Sequence, residues 1–179
     1  DFYLNRIIDA NQTRVNLGYD NCYRMVFAEA DGLPALVVDK YDDILVCQFL
    51  SLGINMRKDL IVECLVELFA PRGIYERSDV AVRKKEGLEE QTGVLYGEVP
   101  DRVIIVENGI KMAVDVKCGQ KTGYFLDQKE NRYAARRYAK DKTVLDCFCN
   151  SGGFSLNCAT VAKEVTAVDI SQSALDSVN

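Results

Sequence analysis

Hydrophobic and polar positions are arranged in blocks that predict a mixed α/β fold. In residues 55–69 apolar side chains recur every three to four positions, and Pro71 and Gly73 follow directly, so this segment is predicted to be a helix. Residues 1–17 show a weaker form of the same periodicity and predict a helix that stops at Gly18, with one face formed by Leu4, Ile7, Ile8, Asn11 and Val15. Two helices are therefore expected in the first half of the chain.

Short runs rich in β-branched and aromatic residues predict strands around the second of these helices. Two such runs are separated only by Asp42-Asp43, which is the spacing of an antiparallel hairpin. The predicted strands are residues 24–30, 35–41, 44–50, 73–76 and 94–96. Together with the helix they predict a compact α+β module that ends near Pro100.

A second hairpin and a basic helix are predicted after Pro100. Residues 103–107 and 111–116 flank Asn108-Gly109, a strong hairpin signal. Asp127 is predicted to cap a helix over residues 128–139. The basic residues of this helix are Lys129, Arg132, Arg136, Arg137 and Lys140. They predict either an exposed charged helix or a lid whose basic face meets nucleic acid.

The stretch from Lys142 to Ser173 carries the clearest functional pattern. Two β-rich runs, each followed by an acid, flank a loop with paired glycines and an apolar segment of helical length. The runs are residues 143–145 and 164–168, the acids are Asp146 and Asp169, the glycines are Gly152 and Gly153, and the predicted helix is residues 154–161. This order predicts the first half of a nucleotide-binding βαβ unit.

The two acids favour S-adenosylmethionine over a dinucleotide. A dinucleotide fingerprint places glycines directly after the strand, where the backbone approaches a pyrophosphate. Asp146 occupies that position here, and its charge would repel a pyrophosphate but attract the ammonium and sulfonium groups of S-adenosylmethionine. Asp169 follows at the distance expected for an acid that accepts both ribose hydroxyls. A dehydrogenase is therefore disfavoured, while a glycine turn without any ligand stays open.

Composition excludes several other classes. The 179 residues contain seven cysteines in no metal-binding spacing and no histidine, so no disulfide framework, metal site or Ser-His-Asp triad is expected. The odd number of scattered cysteines is typical of a reduced, cytoplasmic protein. No apolar run is long enough to cross a bilayer and the first residues do not form a signal peptide, so no membrane contact is expected. The net charge of −5 argues mildly against nucleic-acid binding, although residues 115–142 are locally basic.

Four phrases resemble the class I methyltransferases that make 5-methylcytosine in bacterial 23S ribosomal RNA, the RlmI-like family. The phrases are Ala-Asp-Gly-Leu-Pro at Ala30–Pro34, Ile-Tyr-Glu-Arg-Ser-Asp at Ile74–Asp79, the run Gly119–Gln128 and the run Val144–Ser155. The match extends over nearly the whole chain, and the last two phrases are quite specific. The resemblance implies S-adenosylmethionine as the cofactor and ribosomal RNA as the partner.

The resemblance also implies a fold and a division of the chain. The expected fold class is α/β, a small α+β central module followed by the first part of a Rossmann-like class I methyltransferase domain. Residues 1–23 would be a linking helix, residues 24–100 the central module and residues 101–179 the N-terminal part of the methyltransferase domain. The family's N-terminal PUA domain and the later part of its methyltransferase domain are missing, so a fragment is expected. Its incomplete sheet leaves edges that a second copy could cover, so a homodimer is a further expectation.

The resemblance carries cofactor-binding roles over to this chain by position. Residues 146–153 would wrap the methionine end, Asp169 would hold the ribose, Ile170 would lie against the adenine, and residues 120–128 would close over the site. The expected cofactor-binding residues are Gln120, Lys121, Thr122, Phe125, Gln128, Asp146, Cys147, Phe148, Cys149, Asn150, Ser151, Gly152, Gly153, Asp169 and Ile170.

Methylation at cytosine C5 requires a nucleophile, and the resemblance places it outside these residues. In the expected reaction a thiolate adds to C6 of a flipped cytosine, and this makes C5 reactive towards a methyl donor. Cys147 and Cys149 are assigned to the cofactor loop, so no catalytic residue is predicted and the chain is expected to bind cofactor without turnover. Two alternatives stay open: a related methyltransferase with a different RNA target, or a non-catalytic RNA-binding or dimerising module with a vestigial cofactor fold.

Overall fold

The computed structural model describes residues 2–175 and contains a five-stranded sheet, a separate hairpin and a βαβ unit. The helices are α1 (Phe2–Asn16), α2 (Leu52–Asn55), α3 (Lys58–Phe69), α4 (Val82–Lys85), α5 (Lys129–Ala139), α6 (Gly153–Ala159) and α7 (Gln172–Leu175). The strands are β1 (Cys22–Phe27), β2 (Leu36–Tyr41), β3 (Ile44–Phe49), β4 (Gly73–Ser78), β5 (Gln91–Gly97), β6 (Val103–Glu107), β7 (Ile110–Val114), β8 (Thr143–Asp146) and β9 (Glu164–Ala167). Short 3₁₀ turns lie at Ala28–Asp31 and Leu126–Gln128.

The large sheet has the strand order β1-β2-β3-β4-β5. The pairing of β2 with β3 is antiparallel, with Tyr41 opposite Ile44, so the hairpin predicted about Asp42-Asp43 is confirmed. Strand β4 is parallel to β3, and α3 makes the crossover that a parallel pair needs. The outer strand β5 covers seven residues, which is longer than the three predicted for it.

One face of the sheet packs against α1 and α3. Its core includes Ile7 of α1, Ile61 and Leu65 of α3, and Val38 and Leu45 of the central strands. The buried side of α1 is carried by Ile7 and Ala10, whereas Ile8 and Val15 are exposed. The apolar face predicted for the first helix is therefore only partly correct, because its weak periodicity did not identify the side that packs.

The opposite face of the sheet packs against the β6–β7 hairpin. Tyr41, Ile44 and Val46 of the sheet form one buried cluster with hairpin residues such as Ile105 and Val114. Because apolar layers cover both faces, β2 and β3 are buried along almost their whole length. This cluster joins residues on either side of residue 100, and the division of the chain at that position stays a prediction.

The βαβ unit has the predicted order. Strands β8 and β9 are parallel and are connected by α6, which packs against α5. Asp146 is the last residue of β8, and Asp169 lies two residues after β9. Leu145 of β8 is 63% exposed and Val168, the residue after β9, is 48% exposed, and neither strand contains a buried residue, so these strands are much less covered than β2 and β3.

Helix α5 begins differently from the prediction. Its N-cap position is Gln128, which makes no side-chain capping bond. Asp127 instead lies in the preceding 3₁₀ turn and accepts a hydrogen bond from Lys121 Nζ at 2.9 Å. The prediction that Asp127 caps the helix is wrong, because the chain makes an extra turn before α5 and a nearby lysine takes up the carboxylate. Within residues 2–175 none of the helices combines the length and apolar character needed to span a membrane.

Candidate functional site

A cleft of about 850 Å³ lies beyond the carboxyl ends of β8 and β9. Its walls come from the segment before α5, the loop after β8 and the turn after β9. Ligands of open α/β sheets bind at this end of the strands. Ten predicted cofactor residues line it, namely Gln120, Phe125, Gln128, Phe148, Cys149, Asn150, Ser151, Gly153, Asp169 and Ile170.

Asp169 is fixed by the backbone of the two neighbouring loops. One carboxylate oxygen accepts the Asn150 amide at 2.8 Å and the other accepts the Ser171 amide at 2.9 Å. These backbone bonds to Ser171 and Asn150 lower the pKa of Asp169. A carboxylate has about four acceptor positions, so an ionised Asp169 can accept further hydrogen bonds from a ligand.

Asp146 is directed towards α6, whereas Asp169 lines the cleft. Its carboxylate accepts the Ser155 hydroxyl at 2.7 Å and so ties the end of β8 to α6. Its backbone carbonyl accepts the Val168 amide at 2.8 Å, which joins the ends of the two strands. Asp146 is not among the residues that line the cleft, nor are the predicted residues Lys121, Thr122, Cys147 and Gly152.

The paired glycines let the loop after β8 pass close to the segment before α5. Gly152 has φ +74°, a left-handed conformation, and forms the N-cap of α6. A Cβ atom on Gly153 would lie 2.6 Å from Tyr124 Oη and 2.9 Å from Arg132 Cδ. No larger residue fits at position 153 without displacing a buried neighbour.

The segment Gly119–Gln128, which we call the site loop, is hydrogen-bonded to the large sheet. Arg77 of β4 donates to the carbonyls of Val116 at 3.2 Å and Gly119 at 3.0 Å. Thr122 is buried, and its hydroxyl donates to Asp39 Oδ2 at 2.6 Å. The sequence predicted Thr122 as a cofactor residue, whereas its described contacts connect the site loop to β2.

A buried ion pair joins the site loop to α5 and the second hairpin. Arg132 Nε and Nη2 donate to the two oxygens of Glu107 at 2.6 and 2.7 Å, and Nη2 also donates to the Phe125 carbonyl at 2.9 Å. The Tyr124 hydroxyl donates to Glu107 at 3.3 Å. Arg132 is only 2% exposed, so its predicted place on an exposed basic face is wrong.

The Arg136 side chain also forms hydrogen bonds within the protein. Its guanidinium donates to the Asn157 side chain and the Asn108 carbonyl, at 2.9 and 2.8 Å. Of the five basic residues predicted on α5, the exposed ones are Arg137 and Lys140, while Lys129 is partly exposed. The basic surface of the helix is therefore narrower than its sequence suggested.

Two cysteines line the cleft, and one of them, Cys149, is a poor nucleophile. Burial raises the pKa of the Cys149 thiol, and the charges of Asp146 and Asp169 raise it further. The reactive form of cysteine is the thiolate, so Cys149 is held in its unreactive form at neutral pH. Cys118 also lines the cleft and is exposed.

One protein-family model matches the C-terminal part of the chain. A family model described as S-adenosylmethionine-dependent methyltransferase matches residues 77–178. This range includes all the residues that line the cleft and all fifteen predicted cofactor residues.

Curated relatives match almost the whole chain. Ribosomal RNA large subunit methyltransferase I of Aeromonas hydrophila is 50% identical over 183 aligned residues, which cover 98% of this chain and 46% of the relative. The protein of the same name from Tolumonas auensis is 55% identical over 159 residues, which cover 87% of this chain and 40% of the relative. The chain thus spans less than half the length of these relatives.

Solved structures match the fold over the same extent. A SAM-dependent methyltransferase structure from Streptococcus mutans has a TM-score of 0.82 and 26% identity, and the match covers 98% of this chain and 46% of the other. The structure of SMU.776, complexed with S-adenosylhomocysteine (SAH), matches with the same values. The predicted α/β fold class with a Rossmann-like part is confirmed by these matches.

Proposed function

Because the chain belongs to the S-adenosylmethionine-dependent methyltransferase family, we propose that the protein methylates ribosomal RNA of the large subunit and that the product is 5-methylcytosine. The observation that carries the proposal is the cleft beyond β8 and β9, with the ionised Asp169 at its edge. The names of relatives about half identical to this chain support ribosomal RNA as the substrate. The cytosine product rests on the resemblance of the four sequence phrases.

The residues of the cleft fit the cofactor of this family. Asp169 keeps acceptor positions for the two ribose hydroxyls, and the side chains of Phe148 and Ile170 are exposed and apolar, as an adenine ring requires. Residues 149–153 would hold the methionine end, and Gln120 and Gln128 would close the other side. Asp146 and Thr122 would act indirectly, since they position α6 and the site loop.

The chain's part in the reaction is to bind and orient. When bound, S-adenosylmethionine supplies a methyl group on a positively charged sulfonium. The raised pKa of Cys149 argues against this residue as the nucleophile that adds to the target base. The described residues therefore form the cofactor side of the site. A ribosomal RNA substrate implies a cytoplasmic enzyme, and a homodimer remains a prediction.

Calorimetric titration of the chain with SAH tests the cofactor assignment. We expect saturable binding of SAH and no binding of NADH. Asp169→Ala should abolish SAH binding because it removes the ribose acceptor and releases the Asn150 amide. Glu63→Ala, at an exposed position on α3, is the matched control and should bind as the original chain does. Binding of NADH alone would disprove the assignment.

Methylation of ribosomal RNA tests the reaction. The full-length protein is incubated with unmodified 23S ribosomal RNA and labelled S-adenosylmethionine. The RNA is then digested to nucleosides, and the labelled nucleoside is identified by mass spectrometry. A labelled 5-methylcytidine supports the proposal in full. Another labelled nucleoside would mean a related methyltransferase with a different target, and no labelled RNA despite SAH binding would reject RNA methylation.

A further inference from the structure

The site loop has a second side that faces away from the cofactor cleft. Gln120, Phe125 and Gln128 line the cleft, whereas Lys121 and Asp127 line a separate pocket of about 210 Å³. Tyr124 lines both cavities, so the loop is a wall between them. Lys121, which the sequence predicted as a cofactor residue, belongs to this second pocket.

The second pocket combines aromatic rings with cations. Its lining residues include Arg14, Tyr19, Arg24, Phe27, Lys121 and Lys129, and we call it the Phe27 pocket. The Phe27 ring is 52% exposed, and the Arg24 guanidinium lies over it at 5.2 Å from the ring centroid. The Lys129 ammonium lies 4.9 Å from the centroid of the Tyr19 ring.

One cation of the Phe27 pocket has no ionic partner in the part of the chain that the structure describes. Arg14 pairs with Asp31, Arg24 with Asp39 and Lys121 with Asp127. Lys129 forms no ion pair with any residue from 2 to 175. The acids that line the pocket are Asp127 and Glu130; burial raises the pKa of Tyr19, and the charge of Glu130 raises it further.

We propose that the Phe27 pocket holds one unstacked nucleotide of single-stranded RNA beside the target nucleotide, with its base against Phe27 and its phosphate at Lys129. This inference rests on the proposed function, because it assumes that the substrate is RNA. This subsite is separate from the cofactor cleft and shares a wall with it.

The chemistry of the pocket favours RNA over an apolar partner. Proteins hold unpaired bases by stacking them on aromatic side chains and arginine planes, with lysines at the backbone. An exposed ring beside a guanidinium and an unpaired ammonium provides these three elements. An enzyme that flips its target base unstacks the neighbours of that base, so a platform for one neighbour offsets the stacking that is lost.

RNA binding by the full-length protein tests this subsite. Phe27→Ala should weaken binding of a single-stranded fragment of its ribosomal RNA substrate roughly ten-fold, because a base–aromatic stack is lost. Phe27→Tyr should restore the affinity. Lys129→Ala should lower the slope of log affinity against log salt by about 0.7, the contribution of one phosphate on a single strand. The affinity for SAH should be unchanged in all three variants.

Two matched controls lie outside both cavities. Phe2 is 60% exposed with the Arg6 guanidinium 5.7 Å from its ring centroid, so Phe2→Ala removes a similar pair from α1. Lys111→Ala removes an exposed lysine from β7. Neither should change RNA affinity or its salt dependence.

Three results would overturn the inference. Equal RNA affinities for Phe27→Ala and Phe2→Ala would reject the subsite while leaving methylation intact. Binding of free AMP in the Phe27 pocket as tightly as RNA would make it a mononucleotide site. If the unaltered enzyme binds SAH but methylates no ribosomal RNA, the proposed function itself fails, and the inference fails with it.

Discussion

The large sheet and the βαβ unit differ in how far their apolar side chains are buried. In the sheet, apolar layers on both faces bury β2 and β3 along almost their whole length. In the βαβ unit, Leu145 and Val168 are exposed. Polar contacts within this unit include the hydrogen bonds of Asp146 with Ser155 and of Asp169 with Asn150.

The difference shows where the geometry of the site comes from. Burial of apolar surface tolerates small shifts, whereas a buried charge that loses its partner keeps its full desolvation penalty. The site loop is connected to the better packed part of the molecule through Thr122 and through the Arg132–Glu107 pair. The cofactor cleft should therefore depend on a few polar contacts of the neighbouring sheet and hairpin.

Breaking the buried ion pair should have the largest effect. Glu107→Ala leaves Arg132 buried without its partner and should lower the free energy of unfolding by about 3–5 kcal/mol. Urea denaturation measures the loss. Arg72→Ala removes an exposed pair with Glu98 and should cost less than about 1 kcal/mol.

The double variant Glu107→Leu/Arg132→Leu separates lost charge pairing from lost packing. It should recover much of the stability, because no unpaired charge is left in the interior. A loss for Glu107→Ala no greater than that for Arg72→Ala would contradict the view that polar contacts hold the site loop.

Adding one methyl group beside the cleft should have an intermediate effect. Gly153→Ala brings a Cβ against Tyr124 and Arg132 and should cost about 1–3 kcal/mol of unfolding free energy, with weaker SAH binding. Gly53→Ala in α2 meets open space, and alanine favours a helix by up to about 1 kcal/mol, so this variant should be neutral or more stable. Thermal unfolding and SAH titration of both variants check this. Equal losses would contradict the steric explanation.

Alkaline pH should have the smallest effect: it should gradually lower the contribution of the contact between the sheet and the site loop to the free energy of unfolding. Burial raises the pKa of Tyr41, mainly by desolvation, and Tyr41 lies 2.9 Å from the Thr122 hydroxyl. An unfolded tyrosine ionises near pH 10, so the stability from this phenol is complete below about pH 10 and falls as the pH rises further. The advantage of the original chain over Tyr41→Phe in unfolding free energy should shrink above pH 10. A constant difference would contradict the assignment.

Elements with strong local signals were predictable from the sequence, and contacts between distant side chains were not. The Asp42-Asp43 hairpin and the order of the βαβ unit follow from short-range patterns, and the structure confirms both. Asp39 and Thr122 are 83 residues apart and meet only after the sheet and the site loop pack together. The same holds for Glu107 and Arg132, which are 25 residues apart.

Side-chain direction within the site loop was the other part that the sequence could not supply. The family phrase grouped Lys121 and Thr122 with residues that line the cleft, but a loop displays its side chains on more than one side. Lys121 lines the Phe27 pocket and Thr122 is bonded to Asp39. The sequence likewise placed Arg132 on the helix predicted for residues 128–139 but gave no sign of Glu107, the acid with which it pairs in the interior.

The position of Tyr124 in the walls of both cavities has a thermodynamic consequence. If ligands bind in both cavities as proposed, each would contact this side chain, and the two binding equilibria would be linked through it. Linkage is reciprocal: the factor by which RNA changes the affinity for cofactor equals the factor by which cofactor changes the affinity for RNA. An enzyme built this way can favour cofactor binding when its substrate is already in place, without any large rearrangement of the chain.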